Sequence, residues 1–233
     1  MMPRGKLIAL EGIDGSGKHT QMDLLARTLE ARRLPVLRIA FPRYESRFGQ
    51  LAGRYLNGDF GPLGAVDPHL AALVYAGDRF EAKGEIESAL AAGRIVLADR
   101  YIASNLAHQG ERVLPEKREE FFAWLKQIEY GVYGLPVEDL VLYLRLPAAQ
   151  AHRLIGLKAA RSYTSRRHDI LEADVRHLEH TALIYDRLAT GPNWVRINCT
   201  DQAEEILRSP EEIHRALLEA VESRVLSQGA AKP

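Results

Sequence analysis

The chain has 233 residues, 46% of them hydrophobic, and its 31 basic and 31 acidic residues give a formal net charge of zero. That length suits one large α/β domain, and the neutral balance offers no global attraction to nucleic acid or to an anionic membrane. The single Cys199 excludes an internal disulfide, and no apolar run approaches the roughly 18 residues of a membrane span, so a cytoplasmic protein is expected. Cys199 itself reads as a small buried hydrophobe.

Residues 1–6 run straight into the first apolar run, and no signal peptide is expected. Strands are predicted at 6–11, 36–41, 95–99, 140–145 and 195–198, each short and rich in β-branched residues or leucine. Helices are predicted at 19–33, 47–57, 68–92, 116–130, 148–160, 172–189 and 210–226, with a further helical stretch just after Arg100. Asp67-Pro68 and Ser209-Pro210-Glu211-Glu212 are helix starts: each pairs a capping residue with proline, and the second adds a capping box. Five strands joined by helices imply a doubly wound, five-stranded parallel sheet flanked by helices. The expected organisation is a single domain over 1–226 with an insertion near 158–168, and a frayed tail over 227–233.

Ligands of such sheets bind beyond the carboxyl ends of the strands, and chemistry-bearing residues collect there in this sequence. The first strand runs into Gly12-Ile13-Asp14-Gly15-Ser16-Gly17-Lys18, with His19 and Thr20 opening the next helix. The three glycines let the backbone bend tightly and turn several N–H groups inward. Together with the positive helix end, these form an anion nest, to which Lys18 adds a mobile cation. A glycine turn with a surface lysine is the bland alternative, but the strand–loop–helix context marks a P-loop for nucleotide phosphates. His19 stands where Ser or Thr normally holds magnesium.

Asp99 ends the third apolar run, where a carboxylate beside a P-loop can orient magnesium directly or through water; a helix cap is its competitor. Arg100 can fork onto a phosphate or form a structural ion pair. Lys158, Arg161, Arg166 and Arg167 crowd an acid-free segment after the fourth strand and its helix. Such a run is usually solvated, but here it fits a lid whose arginines offset charge in phosphoryl transfer. Tyr75 and Arg79 lie four apart on one helix face, an aromatic plate and a guanidinium for a base, although in isolation they read as core and surface. Ser104, Asn105, His108 and Gln109 can line a second pocket, a weak signal alone. No guanine-reading Asn-Lys-x-Asp or Thr-Lys-x-Asp is present, which disfavours a GTPase and leaves phosphoryl transfer between nucleotides.

With these motifs in order, the chain resembles the thymidylate kinases, a family of P-loop nucleoside-monophosphate kinases. The resemblance runs from Leu7 to about Ala189 and rests on the segments 11–18, Phe41-Pro42-Arg43-Tyr44, 75–79 and 99–105, the last continuing to Gln109-Gly110. It implies an α/β P-loop NTPase fold and the conversion of dTMP and ATP to dTDP and ADP, with Mg2+, in dTTP biosynthesis. By the same resemblance Gly12, Ile13, Asp14, Gly15, Ser16, Gly17, Lys18, His19 and Thr20 bind ATP. Asp14 also meets the acceptor sugar or the magnesium shell, with Asp99 holding the metal through water. Phe41, Pro42 and Arg43 bind the acceptor, Arg43 and Arg100 holding its phosphate. Tyr75 stacks on thymine, Arg79 bonds its carbonyl edge, and Ser104, Asn105, His108 and Gln109 line the base and sugar. Lys18, Asp99 and Arg100, with Arg161 and Arg166 or Arg167 of the lid, are the catalytic set. The resemblance further implies a homodimer paired through helices that include 68–92.

Two positions depart from the family's pattern: His108, where many members carry a tyrosine that selects deoxyribose, and His19. Within the class, the competing reading is a kinase for another deoxynucleoside monophosphate. Outside it, the competitor is a nucleotide-binding regulator whose catalysis has decayed. Such a regulator is expected to lose Lys18, Asp99 or the lid arginines first, and all are present.

Overall fold

The structure is a computed structural model and describes residues 4–155, 175–201, 203 and 206–227. Five parallel strands form one sheet in the order β2-β3-β1-β4-β5. They are β1 (Leu7–Glu11), β2 (Val36–Ala40), β3 (Ile95–Asp99), β4 (Leu140–Arg145) and β5 (Trp194–Asn198). Every residue of β1 is buried and the other central strands nearly so, while edge strands β2 and β5 keep half-exposed positions. That difference is legible in composition: the central strands are apolar almost throughout, whereas the edges carry Arg38 and Arg196.

Eight α-helices are described: α1 (Lys18–Ala31), α2 (Arg47–Leu56), α3 (Pro68–Ala91), α4 (Ile102–Gly110), α5 (Arg118–Lys126), α6 (Ala148–Ile155), α7 (Val175–Leu188) and α8 (Pro210–Val221). Asp67 caps α3 by accepting from His69 N at 2.8 Å. The Ser209 capping box of α8 is formed at both ends, at 2.8 and 3.2 Å. Ser46 caps α2 with a single bond, its Oγ accepting from Gly49 N at 2.9 Å, a start not expected from the sequence. Among the described residues, no helix is long and apolar enough to cross a membrane.

Several predicted bounds shift, each for a local reason. The second strand ends at Ala40: Phe41 still donates to Asp99 O at 3.0 Å, but Pro42 has no N–H to extend the ladder. The first helix stops at Ala31, since Arg33 adopts φ 62°, a left-handed conformation that a helix cannot contain. The helix predicted at 116–130 is three pieces: a 3-10 turn at Pro115–Lys117, α5, and a π-helical turn at Gln127–Val132. Likewise α8 passes at Val221 into a π-helical turn over Glu222–Leu226. The predicted insertion near 158–168 and most of the tail lie outside the described residues.

Candidate active site

β1 and β3 are neighbours in register, Leu10 opposite Asp99, so whatever follows one strand faces whatever follows the other. Connections leave this point toward opposite edges of the sheet, which opens a crevice at the carboxyl ends. The 12–17 loop occupies one wall. Gly12 and Gly15 take φ 145° and 84°, and a Cβ on either would come within 2.6 Å of a carbonyl, Leu144 O or Ala151 O. Only glycine fits that approach. Gly17, also left-handed, is the N-cap of α1, so the first-turn N–H groups and dipole of that helix aim into the loop. Lys18 is buried, its Nζ donating to the carbonyls of Gly12 and Ile13 at 2.9 Å each. Ser16 Oγ is buried with no hydrogen-bond partner among the described residues.

Arg100 forms the opposite wall. Its backbone N donates to Leu10 O at 2.9 Å and its φ is 68°, a strained value for a residue with a side chain. The turned backbone brings the guanidinium over the loop, Nη2 bonding Asp14 Oδ1 at 2.7 Å and Nη1 reaching Ser104 Oγ at 3.1 Å and His108 Nε2 at 3.2 Å. Burial works against this charge, but Asp14 above all, then Tyr185, Asp99 and Glu11, raises its pKa further. Burial first, then Arg100, holds His108 well below the usual imidazole range, so it is neutral.

Behind Arg100 lies a carboxylate to which the sequence reading assigned no role. Glu11 is fully buried and accepts from Tyr101 N at 2.7 Å, Ser104 N at 3.2 Å and Ser104 Oγ at 2.6 Å. Tyr101, at the N-cap of α4, makes no side-chain cap, so Glu11 supplies it from the neighbouring strand. The signal was an acid closing an otherwise apolar run.

Arg79 and Asn105, two residues expected to meet the base, come together around another unforeseen acid. Arg79 is 2% exposed and Glu129 fully buried; Nε and Nη2 of the arginine each bond a Glu129 oxygen at 2.6 Å. Burial opposes the Arg79 charge, and Glu129 outweighs it, raising the pKa. Asn105 Nδ2 donates to the same Glu129 Oε1 at 2.9 Å and to Ala72 O at 3.0 Å. Both partners are acceptors, which fixes the amide orientation and leaves Asn105 Oδ1 buried with no partner among the described residues. Tyr75 is half-buried and edge-on to Tyr55, with ring centroids 6.2 Å apart. Gln109 Oε1 accepts from Arg112 Nη1 at 3.0 Å.

Arg43 sits against α3. Its backbone N and Nε bond the buried Asp78 at 2.7 and 3.1 Å, and its Nη2 bonds Asp78 O at 3.1 Å. Ser46 Oγ adds a 2.6 Å bond to the same carboxylate. Asp78 therefore positions Arg43; it lies in the 75–79 motif without having been singled out. Phe41 is buried and packs 6.1 Å from Tyr101, with Pro42 half-buried behind it.

Asp99 lies at the mouth of the nest, its Oδ2 4.0 Å from His19 Nδ1, while His19 Nε2 is 3.7 Å from Asp23. His19 and Thr20 are exposed at the start of α1. No group of three or more His, Cys, Asp or Glu among the described residues could hold a metal alone. Arg161, Arg166 and Arg167 lie outside the described residues.

A parallel sheet in this order, with this loop at the end of β1, defines a P-loop NTPase. Comparison with known proteins narrows the class. The thymidylate kinase family model matches residues 10–209. The thymidylate kinase of Mycobacterium tuberculosis is 33% identical over 193 residues, covering 81% of this chain and 89% of its own. A probable thymidylate kinase of Thermococcus gammatolerans is 33% identical over 228 residues, 96% and 99% of the two chains. Among solved structures, the thymidylate kinase of Candida albicans superposes with a TM-score of 0.74 at 22% identity, covering 94% and 92%. The chain belongs to the thymidylate kinase family and is a phosphotransferase.

Proposed function

We propose that the chain phosphorylates dTMP at the expense of ATP, with the base read by the Arg79–Glu129–Asn105 cluster. One observation carries the choice of base. Glu129 Oε1 is shared by Arg79 and Asn105, so the two groups stand side by side, each with a polar atom not spent on Glu129. Arg79 Nη1 can only donate, and Asn105 Oδ1 can only accept. Thymine presents O4 and N3–H, an acceptor beside a donor, which matches that pair. Cytosine presents an amino group and a bare N3, which reverses it. Tyr75 would cover the ring face.

In this reading the 12–20 loop and Lys18 hold the ATP phosphates, while Arg100 and Arg43 hold the acceptor phosphate, oriented by Asp14 and Asp78. The protein's work is to align the two phosphates and oppose the charge that moves to the leaving oxygen. Magnesium fits the site as a phosphate-borne cation: Asp99 is a hard oxygen donor at the nest mouth, able to hold it through water. When bound, it would neutralise charge on the transferring phosphates. The basic lid (Arg161, Arg166, Arg167), a single domain over 1–226, a homodimer paired through α3 and a cytoplasmic location complete the proposal.

A coupled ADP-release assay, offering each monophosphate in turn, tests it. dTMP is expected to exceed dCMP by about a hundredfold in kcat/KM, because each mispaired buried group costs about 1–3 kcal/mol. Equal turnover of the two sinks the thymine assignment. Binding of ATP and dTMP without ADP release would point instead to a decayed regulator.

A further inference from the structure

A continuous chain of hydrogen bonds leads from Arg100 out of the crevice. Arg100 Nη1 meets His108 Nε2 at 3.2 Å, His108 Nδ1 meets His177 Nε2 at 3.2 Å, and His177 Nδ1 meets Glu111 Oε2 at 2.8 Å. Both histidines are buried, whereas Glu111 is partly exposed and its Oε1 also bonds the surface His180 at 3.1 Å. Thr181 Oγ1 lies 3.4 Å from the same His177 Nε2.

The two ends dictate the protons in between. A guanidinium only donates and a carboxylate only accepts. His108 Nε2 must therefore carry a lone pair and His177 Nδ1 a proton, and the middle link closes only if His108 Nδ1 donates to His177 Nε2. Both rings are then neutral Nδ1–H tautomers. A proton added to either ring, or a flipped tautomer, would set two donors face to face.

We infer that His177 and Glu111 are positioning residues for the acceptor site: they hold His108 as an acceptor toward Arg100 and thereby aim the Arg100 guanidinium. None of the motifs that carry the family resemblance contains either residue. The inference rests on Arg100 holding the acceptor phosphate, as proposed above. Through the relay, a carboxylate at the surface between α4 and α7 sets how well the acceptor nucleotide is gripped, without touching it.

Kinetics with both substrates, joined to 15N NMR of the imidazoles, tests this. His177→Leu should raise KM for dTMP roughly five- to tenfold, the worth of about one hydrogen bond, and leave KM for ATP within about twofold. His177→Gln, whose amide can accept from His108, should recover most of that loss. In the unsubstituted protein at neutral pH, His108 and His177 should both appear as Nδ1–H tautomers. In Glu111→Leu, which leaves no acceptor for His177 Nδ1, that pattern should break. Finding either ring as the Nε2–H tautomer or as a cation in the unsubstituted protein overturns the relay. So does an unchanged dTMP KM in both His177→Leu and Glu111→Leu while Arg100→Lys raises it. If Arg100→Lys also leaves that KM unchanged, the assignment of Arg100 has failed, and the tautomer spectrum separates that result from failure of the relay.

Discussion

Arg79 and Glu129, fifty positions apart, form a two-bonded ion pair at 2.6 Å in a site almost closed to water. It joins α3 to the π-helical turn after α5 and doubles as the frame of the proposed base pocket. Removing one partner strands a buried charge, whereas removing both does not. Glu129→Ala should therefore lose about 3–5 kcal/mol of stability in denaturant unfolding, and Arg79→Met with Glu129→Leu should recover most of it. The double variant should still discriminate poorly between dTMP and dCMP. A stable double variant with intact base selection would detach the pair from recognition.

Lys18 is held by two loop carbonyls and contributes little to the core. Lys18→Ala should keep its thermal midpoint within a few degrees yet lose on the order of a thousandfold in kcat, a few kcal/mol of charge stabilisation. Near-normal kcat in a folded variant would mean that the loop does not hold the donor phosphates.

His19 stands between Asp99 and Asp23, with 75% of its side chain exposed. An exposed imidazole is a poor magnesium ligand beside hard oxygen donors. His19→Ser should keep activity within about tenfold and tighten apparent magnesium affinity by restoring an oxygen. A magnesium titration of both proteins measures this, and loss of activity with the fold intact would give His19 a direct part in transfer.

Glu138 is buried beside Tyr130, which donates to it at 2.7 Å. Burial pushes its carboxyl up to about 7, against 4.5 for a free glutamate, and the Tyr130 bond only partly opposes this. Between those values the native state holds a proton that the unfolded chain has released. This group's contribution is therefore complete below the lower value and is lost as pH rises through the upper one. Glu138→Gln cannot ionise. Its stability relative to the unsubstituted protein should rise by roughly 2–3 kcal/mol at most between about pH 5 and about pH 8. A difference independent of pH would show that Glu138 is ionised throughout.

The strand–loop–helix at 7–31, the five strands and the capped starts of α3 and α8 were all legible in the chain, because each rests on neighbours in sequence. A glycine's left-handed φ, a cap two or three residues from its donor and an apolar run need no distant partner. Arg43, Tyr75, Arg79, Arg100 and Asn105 were legible as residue types within motifs, and the fold brings Arg79 and Asn105 together at Glu129 and sets Arg100 over the loop after β1. Their partners were not. Asp78 behind Arg43, Glu129 behind Arg79, Glu11 behind Ser104 and His177 behind His108 are polar residues that any surface could carry. For Glu11 the apolar run that it closes is a signal of burial; for the other three only packing reveals it. A charge taken out of water must find its counterpart wherever the fold brings one, and sequence distance says nothing about which one that is. The widened turn holding Glu129 shows the same limit. Its residues read as plain helix, and the path the backbone takes there is known only once α3 lies against it with Arg79 facing the acid.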